Sequence, residues 1–186
     1  VRAFNQRLTF GYGAFASLRN VSLAVLLPLS VSAEPVVIAA LGDSLTQGYG
    51  LSVEEGFVPQ MQSWLDDNEV EVQMINAGVS GDTTAGGLSR VAWTLTPEVD
   101  AMIVALGAND YLRGIDPSVV RANLTGILEV AAEQGVDVLL VGLDVGANYG
   151  ADYKADFDAI YPELSTQFGT LFFETWFEGL ARSDGD

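Results

Sequence analysis

Histidine and cysteine are both missing from this chain of 186 residues, and Lys plus Arg number only 8 against 25 Asp plus Glu. Each shortage excludes something. Without imidazole or thiolate, no metal centre of the Cys/His type can form. Carboxylate-only sites are the remaining option for Ca or Mg, and no spaced loop demands one. A formal charge of -17 sets the chain against nucleic-acid backbones and anionic membrane surfaces, both of which would repel it. The lack of cysteine is compatible with an oxidising compartment. What is present is ordinary for a folded protein: 49% apolar and 18% charged residues give a conventional core, and the length fits one domain.

Charge is unevenly spread. Residues 1–33 carry Arg2, Arg7 and Arg19 and no acid, so every acidic residue lies from Glu34 onward. The apolar run Val21–Leu29 is too short to span a bilayer comfortably, and Val31-Ser32-Ala33 supplies small residues before Glu34. Basic flank, short apolar stretch and small-residue exit predict a secretory signal peptide over 1–33, and hence a periplasmic or secreted mature chain without stable membrane insertion. The alternative, a buried N-terminal helix, is weakened by Pro28 and the abrupt change in charge.

From Val36 short apolar strands alternate with longer amphipathic segments. Val36–Leu41 reads as a strand covered on both faces, and Val70–Ile75, Ala101–Leu106, Val138–Val141 and Thr170–Phe173 as four more. Helices are predicted over Gly56–Asp67, Thr83–Trp93, Pro117 to about Gln134, and Tyr153–Phe168 despite Pro162. Strands joined by helices force parallel pairing, so the predicted fold is an α/β three-layer sandwich with a mostly parallel five-stranded sheet. No repeat, linker or second domain interrupts residues 34–186.

Ligands of such sheets sit beyond the carboxyl ends of the strands. Polar, Gly-containing segments fall there: Gly42-Asp43-Ser44, Asn76–Thr83, Gly107-Ala108-Asn109-Asp110 and Gly146–Gly150. Ser44, at a strand-to-helix turn, suits a nucleophile beside free N–H groups; it suits a helix cap equally well. Asp43 either orients the loop by accepting N–H bonds or is a turn residue. Gly81 can present its N–H to an oxyanion, or simply turn the chain, with Asp82 or Thr83 capping the next helix. Asn109 offers a neutral amide donor, or an Asx turn. The three together, on successive strand ends, favour chemistry over three separate structural roles.

The run Ala40–Tyr49, with Gly42-Asp43-Ser44-Leu45 at its centre, resembles the first block of the SGNH, or GDSL, hydrolase superfamily. Asn76–Thr83 resembles the second block. Leu106-Gly107-Ala108-Asn109-Asp110 resembles the third, with Ala108 where glycine is more usual. Order and spacing are most similar to the bacterial periplasmic thioesterase, lysophospholipase and arylesterase branch, over roughly residues 35–174. The resemblance implies a flavodoxin-like fold, Ser44 as nucleophile, and an oxyanion hole from the N–H groups of Ser44 and Gly81 with the Asn109 amide. It implies a small acyl ester or thioester as substrate, and neither metal nor organic cofactor. It also implies a histidine base in a C-terminal Asp-x-x-His block, which Asp184-Gly185-Asp186 matches only at its start. That block and a final helix are therefore expected to be absent, and activity impaired. The alternative function is a noncatalytic acyl- or carbohydrate-binding protein. Tyr49, Leu112 and Tyr149 are rim candidates for an acyl or aryl group, or ordinary core and surface residues.

Overall fold

The computed structural model describes residues 34–179; the predicted signal peptide and Asp184–Asp186 lie outside them. Within that span the chain forms five strands, β1 Val36–Gly42, β2 Val72–Gly78, β3 Ala101–Ala105, β4 Asp137–Val141 and β5 Leu171–Phe173. Seven α-helices accompany them: α1 Ser44–Gln47, α2 Phe57–Asp67, α3 Thr84–Thr94, α4 Ala108–Leu112, α5 Pro117–Gln134, α6 Ala151–Asp158 and α7 Ile160–Phe168. A 3-10 turn at Val53–Glu55 precedes α2. The predicted α/β fold is the observed one.

All four strand pairings are parallel, and the spatial order is β2-β1-β3-β4-β5. Right-handed crossovers then place α2, which links β1 to β2, on one face, and the connections that run the other way on the opposite face. There α5 packs against both α3 and α7. The core fills this second interface. Met102 and Val104 of β3 and Leu140 of β4 are buried, as are Leu124, Ile127 and Leu128 of α5. Ala101 and Ile103, on the other face of β3, are only partly covered. The expected two-sided burial of β1 holds for its C-terminal half, where Ala39, Ala40 and Leu41 are buried, but not for exposed Val36.

The longest helix obeys its sequence signals. Asp116 caps α5 by accepting the Ser118 N–H at 2.8 Å, Pro117 occupies the first turn, and Gly135 ends it at φ 71°. The predicted helix Tyr153–Phe168 is instead two helices, divided at Ala159. Pro162 explains the break: it has no N–H to give an unbroken helix, but in the third position of α7 none is required. Two short helices, α1 and α4, also lie where sequence alone suggested loops.

Candidate active site

The strand order reverses between β1 and β3, since β2 lies on one side of β1 and all later strands on the other. A crevice therefore opens at the carboxyl ends of these two neighbours, where neither crossover covers the sheet. The loops leaving β1 and β3 carry Ser44 and Asn109, and they meet there. Asn109 Nδ2 donates to Asp43 Oδ2 at 3.1 Å, bridging residues 66 apart in sequence.

Asp43 is the cap of α1. Its Oδ1 accepts the Leu45 N–H at 3.0 Å, so both carboxylate oxygens are engaged. Ser44 is thus the first helical residue rather than the cap, and its half-buried hydroxyl has no hydrogen-bond partner within the described residues. Its N–H belongs to the opening turn of α1, where a helix has no acceptor of its own.

Gly81 reaches the same rim by another route. Val79 donates to the Gly42 carbonyl at 3.0 Å as β2 ends, and Asp82 N–H returns to the Val79 carbonyl at 3.0 Å. With Gly81 at φ 81°, this is the third residue of a type II turn, which needs glycine. Such a turn directs the Gly81 N–H away from its own hydrogen bond. No acceptor among the described residues takes it. Thr83, not Asp82, caps α3, accepting the Gly86 N–H at 3.4 Å.

Behind these groups lies a second layer that the sequence reading missed. Buried Asp110 accepts both the N–H and the hydroxyl of Thr84, at 2.8 and 2.7 Å, and Asn123 donates to that hydroxyl at 3.0 Å. This ties α4, which carries Asn109, to the start of α3. Tyr161 donates to the Leu106 carbonyl at 2.9 Å, bracing the end of β3. Tyr149 and Tyr153 stack above it in an aromatic column that ends on Phe157 and Tyr161. Only the Asn-Asp pairing of residues 109 and 110 hinted at this layer; nothing local marked Thr84, Asn123 or Tyr161.

Of the rim candidates, Tyr149 packs edge-on against Tyr111 at 5.7 Å, while Tyr49 and Leu112 stand in solvent at 74% and 72% exposure. A narrow pocket of about 20 Å³, room for about one water, opens beside Asp43 and Leu45, lined also by Leu106, Val141, Leu143 and Trp176. Trp176 meets Phe57 edge-on at 4.9 Å. Among the described residues, no cluster of acids is placed to hold a metal ion, and no helix is long and apolar enough to cross a membrane.

Burial pushes the carboxyls of Asp43 and Asp110 above the usual aspartate range, against the opposing pull of their hydrogen bonds. Both therefore hold protons more tightly in the folded chain than in the unfolded one. The stability each contributes is complete below the unfolded pKa of about 3.9 and is lost as pH rises through the folded value. Acidification from pH 7 toward pH 5 also relieves self-repulsion in a chain of charge -17. The urea midpoint is expected to rise over that interval, and Asp110→Asn to flatten the rise. A midpoint that falls steadily from pH 7 would contradict this.

The GDSL-like Lipase/Acylhydrolase family matches residues 40–186. The chain belongs to that family. It is similar to Esterase TesA of Pseudomonas aeruginosa, 37% identical over 131 residues, which cover 70% of this chain and 65% of that protein. An arylesterase of Vibrio mimicus is 34% identical over 130 residues, 69% of this chain and 65% of the relative. The chain thus spans just under two thirds of the length of these two curated relatives. Among solved structures, AlinE4, an SGNH-hydrolase family esterase, superposes with a TM-score of 0.78 at 40% identity, covering 82% of both chains. The crystal structure of TesA gives 0.74 at 33% identity, over 80% of this chain and 83% of that one. The crevice between β1 and β3 is the place in this GDSL-family chain where the loop of Ser44 meets that of Asn109.

Proposed function

We propose that this chain carries the nucleophile and oxyanion half of an ester or thioester hydrolase, with Ser44 as nucleophile. The observation that carries this is the Asn109–Asp43 hydrogen bond, which sets a neutral amide donor beside the serine loop. The N–H groups of Ser44 and Gly81, each without an acceptor among the described residues, supply two further donors for a developing oxyanion. Ser44 Oγ attacks the acyl carbon, its proton passes through solvent to the departing alkoxide or thiolate, and the alcohol or thiol so formed departs to leave acyl-Ser44. Water then releases the acid. Leu106, Val141, Leu143 and Trp176 give the narrow pocket beside the serine loop apolar walls, a chemistry that suits an acyl or aryl group at its mouth. Esterase, arylesterase and thioesterase names among the relatives agree with acyl esters as the substrate class. The signal-peptide pattern over residues 1–33 supports a periplasmic or secreted place of work.

No histidine among the 186 residues can serve as the base. Turnover by this chain is therefore expected to be weak, near the residual level that donors and positioning alone sustain. Weak acylation is still visible by mass. Incubation with p-nitrophenyl butyrate should place a butyryl group on Ser44 in peptide maps, and Ser44→Ala should remove it. The absence of histidine favours a second reading, a noncatalytic acyl-binding protein. Saturable binding of the ester with no adduct on Ser44 would establish that reading and overturn the first.

A further inference from the structure

Arg90, on α3, lies outside the motifs that mark the site, yet its guanidinium reaches three separate segments around it. Nε donates to Asp82 Oδ2 at 2.7 Å, Nη1 to the Ala77 carbonyl at 2.7 Å, and Nη2 to the Gly42 carbonyl at 3.0 Å. Gly42 is the last residue of β1, immediately before Asp43 and Ser44. Ala77 lies at the end of β2, and Asp82 closes the turn that holds Gly81. One planar cation thus joins the nucleophile's loop to the loop of an oxyanion donor.

From this geometry we infer that Arg90 is a positioning residue for the reaction, fixing the distance between the Ser44 and Gly81 N–H groups. The inference rests on the ester-hydrolase reading of the site. Among the described residues neither of those N–H groups has an acceptor, so each is placed by its neighbours. On the Gly81 side, Asp82 is gripped by Arg90, while the Gly81 carbonyl accepts Arg113 Nη2 at 2.8 Å. The described residues include four cations, Arg90, Arg113, Arg121 and Lys154, and two of them hold this one turn. In so acidic a chain that is a concentrated use of scarce positive charge, placed where negative charge would develop.

A surface ion pair cannot account for the arrangement. The Arg90 side chain is 22% exposed, and two of its three acceptors are backbone carbonyls rather than acids. Such carbonyls need a donor in a fixed plane, which a guanidinium provides and an ammonium does not. Lysine at this position keeps the charge near Asp82 but cannot span Gly42, Ala77 and Asp82 together.

The test compares Arg90→Lys and Asp82→Asn in the full chain. Acylation of Ser44 by p-nitrophenyl butyrate is followed at saturating and subsaturating ester, alongside site-resolved amide exchange. Arg90→Lys should slow acylation at saturation at least tenfold, with less than a twofold change in half-saturation, and should speed exchange at Val79 and Asp82. Asp82→Asn, which leaves both carbonyl bonds in place, should cost less than threefold. Acylation by Arg90→Lys within threefold of the unsubstituted chain would overturn the inference, as would an Asp82→Asn loss equal to that of Arg90→Lys. Should the unsubstituted chain take no acyl group, the ester reading fails separately. Exchange then decides: unchanged protection at Val79 and Asp82 in Arg90→Lys overturns the bridging role.

Discussion

Asn109→Ala is expected to slow acylation of Ser44 by about 10²–10³-fold, the usual consequence of losing one preorganised oxyanion donor. The amide has two hydrogens. One is held by Asp43 Oδ2, and that bond fixes the plane in which the other is presented. Preorganisation of this kind stabilises the transition state without reorganisation, and its effect needs no particular base. Hence the loss should be measurable even in a chain without histidine, as a slower single-turnover release of p-nitrophenol. The substitution also strips Asp43 of a donor at a buried position, costing about 1–3 kcal/mol of stability. Unfolding and acylation therefore have to be measured together. Asp43→Asn separates the two effects: its side-chain oxygen still accepts the Leu45 N–H, but its amide faces that of Asn109 donor to donor. Acylation should fall while α1 keeps its cap. Full acylation by Asn109→Ala, with normal unfolding, would remove Asn109 from the proposed oxyanion hole.

Sequence disclosed the two levels of this protein that depend on local chemistry. Apolar runs and their spacing located five strands along the chain, because a strand's pattern is written in its own residues. Pro117 and Gly135 marked the two ends of α5, from Pro117 to about Gln134. Ser44, Gly81 and Asn109 stood out as candidates because each lies in a glycine-containing segment that follows a strand. What remained hidden depends on partners distant in sequence. Arg90 looks like one polar residue on an amphipathic helix; its acceptor at Gly42 is 48 positions away. Thr84 and Asp110 are separated by 26, and Tyr161 and Leu106 by 55. No periodicity records such pairings. The helix division at Ala159 was missed for another reason, since Pro162 is compatible both with a kinked helix and with the first turn of a new one.

Gly78 shows the same limit in its sharpest form, and Gly78→Ala is the substitution expected to damage the fold and the site together. In sequence it lies in the polar segment Asn76–Thr83 that follows the second strand. In the structure it is the last residue of β2, in register with Gly42 of β1. A methyl group there would lie 2.8 Å from the Thr46 carbonyl carbon and 2.8 Å from Gln47 Cα, with the Gln47 nitrogen closer still. All three are backbone atoms of α1, so no side chain can rotate aside. Either α1 moves or β2 does. Overpacking costs about 1–3 kcal/mol where side chains can adjust, and a backbone obstacle belongs at or above the top of that range. Because Ser44 opens α1, a shift that accommodates the methyl carries the nucleophile away from Asn109 and Gly81. The expected result is a urea midpoint lowered by about 3 kcal/mol in free energy, with acylation of the folded fraction reduced as well. Normal acylation with lowered stability would mean that β2 yields while α1 holds, and that the serine loop is fixed from the β1 side, through Asp43 and the Arg90 bond to Gly42, rather than by its packing on β2.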